Sequence, residues 1–297
     1  MIENSCAICG PGIHFKILYA QNFGLKNVDS ELFSARKRPK GLHYQVVQCR
    51  QCGLVFSNPI FSQSALENIY RESSFSYEED LESAKETYQK ILKRVCRRLP
   101  QKEAFLEIGC SNGFTLESAR ELGFREIYGI EPNQEEVKHA NETVRNFIQG
   151  GILKEGLYPE KKFDLICAFH VFDHLSDPNE FLTLCRHYLK EDGYLLFIHH
   201  NVKAFPAKLL RDRCPIIDVV HPYLYDKTTQ RKILEKNHFY KIKFFNVYDC
   251  YSLNYWMKLF PLSERWKEIF LQFLRALKIE RFKIKLPVGN MGVFAQK

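Results

Sequence analysis

The sequence predicts an α/β protein: a doubly wound, mostly parallel sheet of seven strands whose last strand runs antiparallel, preceded by a small cysteine-bearing module. Three observations predict it. From residue 101 onward strand-like and helix-like segments alternate, and parallel strands need crossover helices because a tight turn cannot join them. Apolar residues make up 45 % of the 297 positions, enough to bury a sheet covered on both faces. Four of the ten cysteines stand in two close pairs, CAICG (6–10) and CRQCG (49–53), upstream of the alternating region. The chain therefore divides into a ribbon module over 1–60, a helical linker over 61–100 and the α/β domain over 101–297.

Each element has its own signal. From Phe61 to Leu99 apolar residues return near helix spacing (Leu66, Ile69 and Tyr70, later Leu81, Tyr88, Ile91, Leu92 and Val95) until Pro100 interrupts. Strands are predicted at 104–109, 126–131, 146–149, 163–170, 194–200, 240–248 and 289–296. Helices fall between them, at about 113–122, 133–144, 178–189, 226–237 and 252–277. Asp177 followed by Pro178 suits an N-cap and first helical position, and KEDG (190–193) reads as a turn before a strand. A long helical insert separates the last two strands, which predicts an antiparallel hairpin at the sheet edge.

Two Cys-x-x-Cys-Gly knuckles bring four thiolates within reach of one tetrahedral ion, and the glycine after each pair lets backbone amides turn toward sulfur. Cys6, Cys9, Cys49 and Cys52 are thus expected to hold a structural zinc ion. A redox pair would open a helix on a thioredoxin-like sheet, and no such pattern is present. No stretch approaches the roughly 18 apolar residues of a spanning helix, and MIENSCAICG lacks a secretory pattern, so a cytoplasmic protein is expected. The formal charge of +8 is uneven: residues 1–60 hold 7 Lys/Arg against 3 acids, residues 251–297 hold 9 against 3, and the middle carries −2. The central domain is therefore not a polyanion-seeking surface, and RKRPK (36–40) reads as a solvated loop.

The turn after the first predicted sheet strand, FLEIGCSNG (105–113), lies where open parallel sheets bind ligands. A dinucleotide fingerprint needs glycine at 109, 111 and 114, whereas the chain has Gly109, Ser111 and Phe114. The stretch resembles instead the E/D-x-G-x-G-x-G turn of class I S-adenosylmethionine-dependent methyltransferases, matched by Glu107, Gly109 and Gly113, with Ser111 at the middle glycine. FDLICAFHVFDHLSDPNEFLTLCRHYLKEDGYLLFIHHN is similar to that family's fourth and fifth strands and the helix between them. The resemblance covers most of 101–297 and implies a Rossmann-like fold with S-adenosylmethionine as cofactor. Glu107 would orient the cofactor's ammonium group and Glu131, ending the next strand, would accept the ribose hydroxyls, with Cys110, Ser111, Pro132, Phe169 and His170 lining the same cleft. Gly151 stands where many members carry an acid near the adenine amine. The knuckles, in a stretch such as QCRQCGLVFSNP, also resemble the ribbon preceding the catalytic domain of bacterial small-molecule and sugar methyltransferases.

Methyl transfer from a sulfonium is an in-line displacement, so the protein chiefly positions the acceptor and, for oxygen or carbon, removes a proton. His170, His174, His199, His200 and His221 all lie at or after predicted strand ends. His221, in DVVHPYLYDKTT, is the first choice of base because the stretch loosely resembles a Tyr-x-Glu-His segment of sugar C-methyltransferases, although Asp218 and Val220 replace its Tyr and Glu. His200 is second, with Tyr223 and Tyr225 as acceptor contacts. The expected acceptor is a small molecule such as a sugar nucleotide. The alternatives are an RNA methyltransferase, against which no Asn-Pro-Pro-Tyr-like base pocket follows the fourth strand, and a non-catalytic binding protein. Residues 251–286 are aromatic and basic, with Trp266, Ile269, Phe270, Phe273, Leu274 and Leu277 on one helical face. That face would pack on the domain, form a lid, or contact an anionic membrane peripherally.

Overall fold

The computed structural model describes residues 1–24, 41–62, 81–260 and 262–297. The RKRPK segment and the linker pattern over 63–80 lie outside them. The ribbon comprises β1 (Phe15–Tyr19), β2 (Val46–Cys49) and β3 (Val55–Ser57), paired antiparallel in that order. The described part of the linker is α1 (Leu81–Cys96), which buries Leu92 and Val95 against the domain and stops short of Pro100.

The domain follows the predicted alternation: β4 (Ala104–Ile108), α2 (Phe114–Glu121), β5 (Glu126–Glu131), α3 (Gln134–Lys138), α4 (Glu142–Arg145), β6 (Ile148–Gly150), β7 (Phe163–Phe169), α5 (Pro178–Tyr188) and β8 (Leu189–His200). After them come α6 (Phe205–Leu210), β9 (Tyr223–Leu224), α7 (Lys227–Lys236) and β10 (Tyr240–Asn246). An excursion of β11 (Asp249–Ser252), α8 (Leu253–Leu259), α9 (Glu264–Ala276) and β12 (Lys283–Leu286) then precedes β13 (Asn290–Gln296). Seven strands form one sheet in the order β10-β13-β8-β7-β4-β5-β6, and β13 runs antiparallel to both of its neighbours. Every residue of β4 and β7 is buried, as expected of central strands covered on both faces. The order reverses between β4 and β7, and the carboxyl ends of β4, β5, β7 and β8 open onto that switch point.

Local chemistry explains where boundaries moved. The single helix expected over 133–144 is two, because the side chain of Asn133 caps α3 and that of Asn141 accepts from Thr143 N–H and starts α4. The helix expected over 252–277 is also two: Phe260 is extended, as suits a residue before Pro261, and Ser263 begins α9. The KEDG turn is absorbed as an irregularity in β8, whose Leu189 pairs Phe163 while Tyr194 pairs Leu165. Asp177 does cap α5, and Asp226 with Thr229 forms a capping box on α7.

Two arrangements were not foreseen. β9 leaves the main domain and pairs antiparallel with β3, completing the ribbon's sheet. Ribbon residues Val47, Leu54 and Phe56 share one buried cluster with Phe181, Tyr225 and Leu234 of the domain. The apolar stripe of α9, in contrast, does not pack on the domain: Trp266 is 56 % and Phe273 59 % exposed.

Candidate active site and metal centre

The turn after β4 is held to β5 by Gly109 N–H and Cys110 N–H, both donating to Ile130 C=O at 2.8 and 3.1 Å. Gly109 (φ 72°) and Gly113 (φ 77°) are in the left-handed region that glycine adopts without strain, and Ser111 (φ 50°) joins them. A β-carbon on Gly109 would stand 2.4 Å from Val171 Cγ2, so the chain after β7 already lies against the turn.

Three buried carboxylates converge here. Glu131 accepts from Ser111 N–H at 2.8 Å and Asn133 N–H at 2.9 Å, Glu136 accepts from Ser111 Oγ–H, and Glu107 is 3 % exposed with Oε2 unpartnered. Burial pushes the Glu107 pKa well up, and the negative charge of Glu131 pushes it the same way. An orphaned buried carboxylate oxygen beside two further buried carboxylates fits a cationic ligand, and S-adenosylmethionine brings both an ammonium and a sulfonium. Pro132 follows Glu131 directly, Phe169 ends β7, and His170 stands next with φ 54°. Tyr88 of α1 covers this side, its ring 4.8 Å from Phe169 and 6.3 Å from His170. Near Gly150, on the predicted adenine side, lies the amide of Gln134, 2.2 Å from where a β-carbon would stand.

Beyond the ends of β7 and β8 lies a histidine cluster around one acid. Asp173, in a single 3₁₀ turn (Phe172–His174), is fully buried and accepts from His200 Nδ1–H at 2.6 Å. Because a carboxylate can only accept, the Nδ1 of His200 carries a proton, so in the neutral ring the lone pair is on Nε2. His221 donates Nδ1–H to Ile216 C=O at 3.0 Å, and its ring centroid lies 4.9 Å from that of His200 and 4.6 Å from that of His174. Burial pulls His221 well below the usual imidazole range and His170 down to about 3, the nearby imidazoles acting in the same direction. Although burial acts to raise it, the charge of His200 and its hydrogen bond hold the Asp173 carboxyl well below its ordinary value. A buried anion thus sits beside His170, His174, His199 and His221, whose protonation burial opposes.

Of the predicted residues, the structure brings Glu107, Gly109, Cys110, Ser111, Gly113 and Glu131 to one turn and His170, His200 and His221 to its neighbour. Tyr223 and Tyr225 are buried behind His221, and Tyr223 donates its hydroxyl to Asn4 Oδ1 at 2.8 Å in the ribbon. Sequence reasoning missed Asp173 as His200's partner, although it stands in the quoted Asp-His-Leu stretch, and missed Tyr88 and Gln134, whose placement depends on packing.

The four knuckle cysteines lie together, with every sulfur within 4.8 Å of the others. Cys6 and Cys52 sulfurs are 3.4 Å apart, those of Cys9 and Cys49 3.9 Å, bracketing the roughly 3.8 Å edge of a tetrahedron with 2.3 Å zinc–sulfur bonds. The knuckles match: Cys9 N–H donates to Cys6 Sγ and Cys52 N–H to Cys49 Sγ, each at 3.4 Å, and Gly10 and Gly53 follow with φ 87° and 85°.

Comparison with known proteins agrees with the geometry. The chain is similar to a ubiquinone biosynthesis O-methyltransferase from Rhodopseudomonas palustris (strain TIE-1), 27 % identical over 111 residues, covering 35 % of this chain and 44 % of that one. The same-named protein of Caulobacter vibrioides is 32 % identical over 110 residues, covering 33 % and 42 %. The chain thus spans less than half the length of these curated relatives. Among solved structures, a SAM-dependent methyltransferase from Archaeoglobus fulgidus superposes with a TM-score of 0.50 at 21 % identity, covering 80 % of this chain and all of that one. The YcgJ protein from Bacillus subtilis gives 0.52 at 15 %, covering 71 % and 98 %. The family model described as a methyltransferase domain matches residues 77–243, over half of the chain. The chain therefore belongs to the methyltransferase domain family, and its fold is that of SAM-dependent methyltransferases of known structure.

Proposed function

We propose that this protein methylates an oxygen of a small-molecule acceptor, with His200 removing the acceptor's proton. The hydrogen bond that His200 donates to buried Asp173 carries this reading. It fixes the ring, leaves Nε2 basic, and stabilises the imidazolium formed when Nε2 takes a proton. S-adenosylmethionine, when bound, would supply the electrophilic methyl group, its sulfonium becoming a neutral thioether on transfer. Glu107 neutralises the ammonium end of that ligand, Glu131 accepts from its ribose hydroxyls, and Cys110, Ser111, Pro132, Phe169 and His170 shape the cleft. As the acceptor's O–H bond breaks, its proton passes to His200 Nε2 and the oxygen bonds the methyl carbon. His221 ranks behind His200 as the base, because burial opposes its protonation and it donates Nδ1–H to the Ile216 carbonyl rather than to Asp173; it is assigned to holding the acceptor. Cys6, Cys9, Cys49 and Cys52 hold a structural zinc ion within the 1–60 ribbon, followed by a 61–100 linker and the 101–297 catalytic domain.

The acceptor class rests on the names of the similar O-methyltransferases and on a slightly acidic central domain unlike an RNA-binding face. The test is calorimetric titration of S-adenosylmethionine into wild type and Glu131→Ala, together with S-adenosylhomocysteine release from deproteinised cell extract by wild type and His200→Gln. Equal cofactor affinity would remove Glu131 from its role, and equal turnover would remove His200. The exposed stripe of α9, flanked by Arg275, Lys278, Arg281 and Lys283, favours peripheral contact with an anionic membrane. Co-sedimentation with vesicles that did not depend on anionic lipid would dismiss it. No helix among the described residues is long and apolar enough to cross a membrane.

A further inference from the structure

A cavity of about 560 Å³ lies outside the cofactor turn, between α1 and the β10–β12 region. Five cations line it: Lys90, Arg94 and Arg98 from α1, with Lys243 of β10 and Lys285 of β12 opposite, and among the described residues no acid joins them. Lys90 is paired with Glu86 at 3.3 Å, and Lys285 lies 5.4 Å over the Tyr248 ring. Arg94, Arg98 and Lys243 form no ion pair among the described residues. Three unpaired cations around one hollow repel each other, and a bound anion relieves that repulsion. The floor is apolar and aromatic, with Phe245 and Phe294, so the ligand it suits has a flat or apolar part beside its charge.

Two structural elements connect the cavity to the proposed methyl-transfer site. Thr87 lines it while its neighbour Tyr88 covers Phe169 and His170. On the other side Val247, also in the lining, donates its N–H to Asn290 C=O at 3.2 Å, and Asn290 pairs with His200 across β13 and β8.

We propose that this cavity is an anion site that seats the phosphate of a phosphorylated small molecule, and that this molecule is the methyl acceptor. Two guanidinium groups offer paired N–H donors matched to phosphate oxygens, Lys243 adds a point charge, and the aromatic floor carries the rest of the ligand. The acceptor assignment rests on the methyltransferase reading, whereas anion binding does not.

The experiment has two arms. In the first, inorganic pyrophosphate and UDP are titrated calorimetrically into the full chain and into an Arg94→Gln/Arg98→Gln/Lys243→Gln variant, with S-adenosylmethionine titrated into both as the folding control. Wild type should bind both anions, more weakly as salt rises, and the variant at least tenfold more weakly with cofactor affinity unchanged. Failure of wild type to bind either anion at millimolar concentration, or equal binding by the variant, overturns the anion site. In the second, S-adenosylhomocysteine release is followed with deproteinised extract before and after treatment with phosphodiesterase and phosphatase. Loss of release on treatment supports a phosphorylated acceptor and undiminished release overturns it. No release from either extract, with pyrophosphate still bound, would overturn the acceptor assignment and the methyltransferase reading while upholding the anion site.

Discussion

Zinc binding by the ribbon should expel between three and four protons at pH 7, and the four thiols show why. Burial pushes Cys6 up to about 12 and Cys52 up to about 11, and it raises Cys9 above its ordinary 9.0. Burial also acts to raise Cys49, but the backbone N–H groups of Cys52 and Gln51 outweigh it and bring that thiol down to about 7. Three thiols are therefore protonated at pH 7 and the fourth is half so, whereas all four must be thiolates around the ion. The release is then about 3.5 protons, and acidifying from pH 7 to pH 6 should weaken apparent affinity roughly thousandfold to ten-thousandfold. The sign follows: zinc's contribution to folding stability grows as pH rises and fades as it falls. Isothermal titration of zinc into chelator-stripped protein, repeated in buffers of different ionisation enthalpy, reads the proton count as a slope. Fewer than two protons, or an affinity flat between pH 6 and 7, would refute a four-thiolate site.

Three further outcomes follow from the active site. Asp173→Asn keeps the shape but removes a charge-assisted hydrogen bond worth about 1.5–3 kcal/mol, so turnover of the extract acceptor should fall roughly ten- to hundredfold; an unchanged rate would show His200 works alone. Since the folded carboxyl of Asp173 titrates below its unfolded value, its stabilisation is complete above about pH 4 and lost as pH falls below it, so acid unfolding should shift less steeply in that variant. Glu107→Gln should weaken S-adenosylmethionine about tenfold or more while leaving the melting temperature unchanged or higher, because the buried carboxyl is a cost without its cation; undiminished affinity would sever Glu107 from the ammonium role. Gly109→Ala meets both a positive φ and Val171 Cγ2, so it should lose about 1–3 kcal/mol in denaturant unfolding, only partly recovered by adding Val171→Ala; full recovery would mean that backbone strain at 109 is negligible.

Fold and cofactor turn were legible because both are local. Alternating apolar runs fixed the order of strands, and Glu107, Gly109, Gly113 and Glu131 fall within 25 residues of one another. The knuckles were legible for the same reason, since each pair and its glycine form a single hairpin. What was illegible depends on residues far apart in the chain meeting in space. Asp173 and His200 are 27 positions apart and look like any acid and any imidazole until β7 and β8 lie side by side. The helix breaks at Asn141 and Phe260 were readable from capping and pre-proline chemistry, but helical periodicity masked them.

The pairing of β3 with β9 changes what the ribbon is for. β9 starts two residues after His221, Phe56 stacks on Tyr223 at 6.1 Å, and Tyr223 reaches Asn4 and Ser5, so the segment that carries His221 is positioned by ribbon backbone. Lys236 Nζ and Asn179 Nδ2 both donate to Ala7 C=O, inside the first knuckle, at 2.8 and 2.9 Å. Ala7 lies between two proposed zinc ligands, so an ion that fixes Cys6 and Cys9 also fixes the acceptor that α5 and α7 use to dock. A detachable recruitment module would have its polar groups satisfied internally and meet the domain across a solvated seam. Here a strand, a buried aromatic cluster and shared hydrogen bonds cross the boundary, which makes the ribbon an integral support of the segment that carries His221.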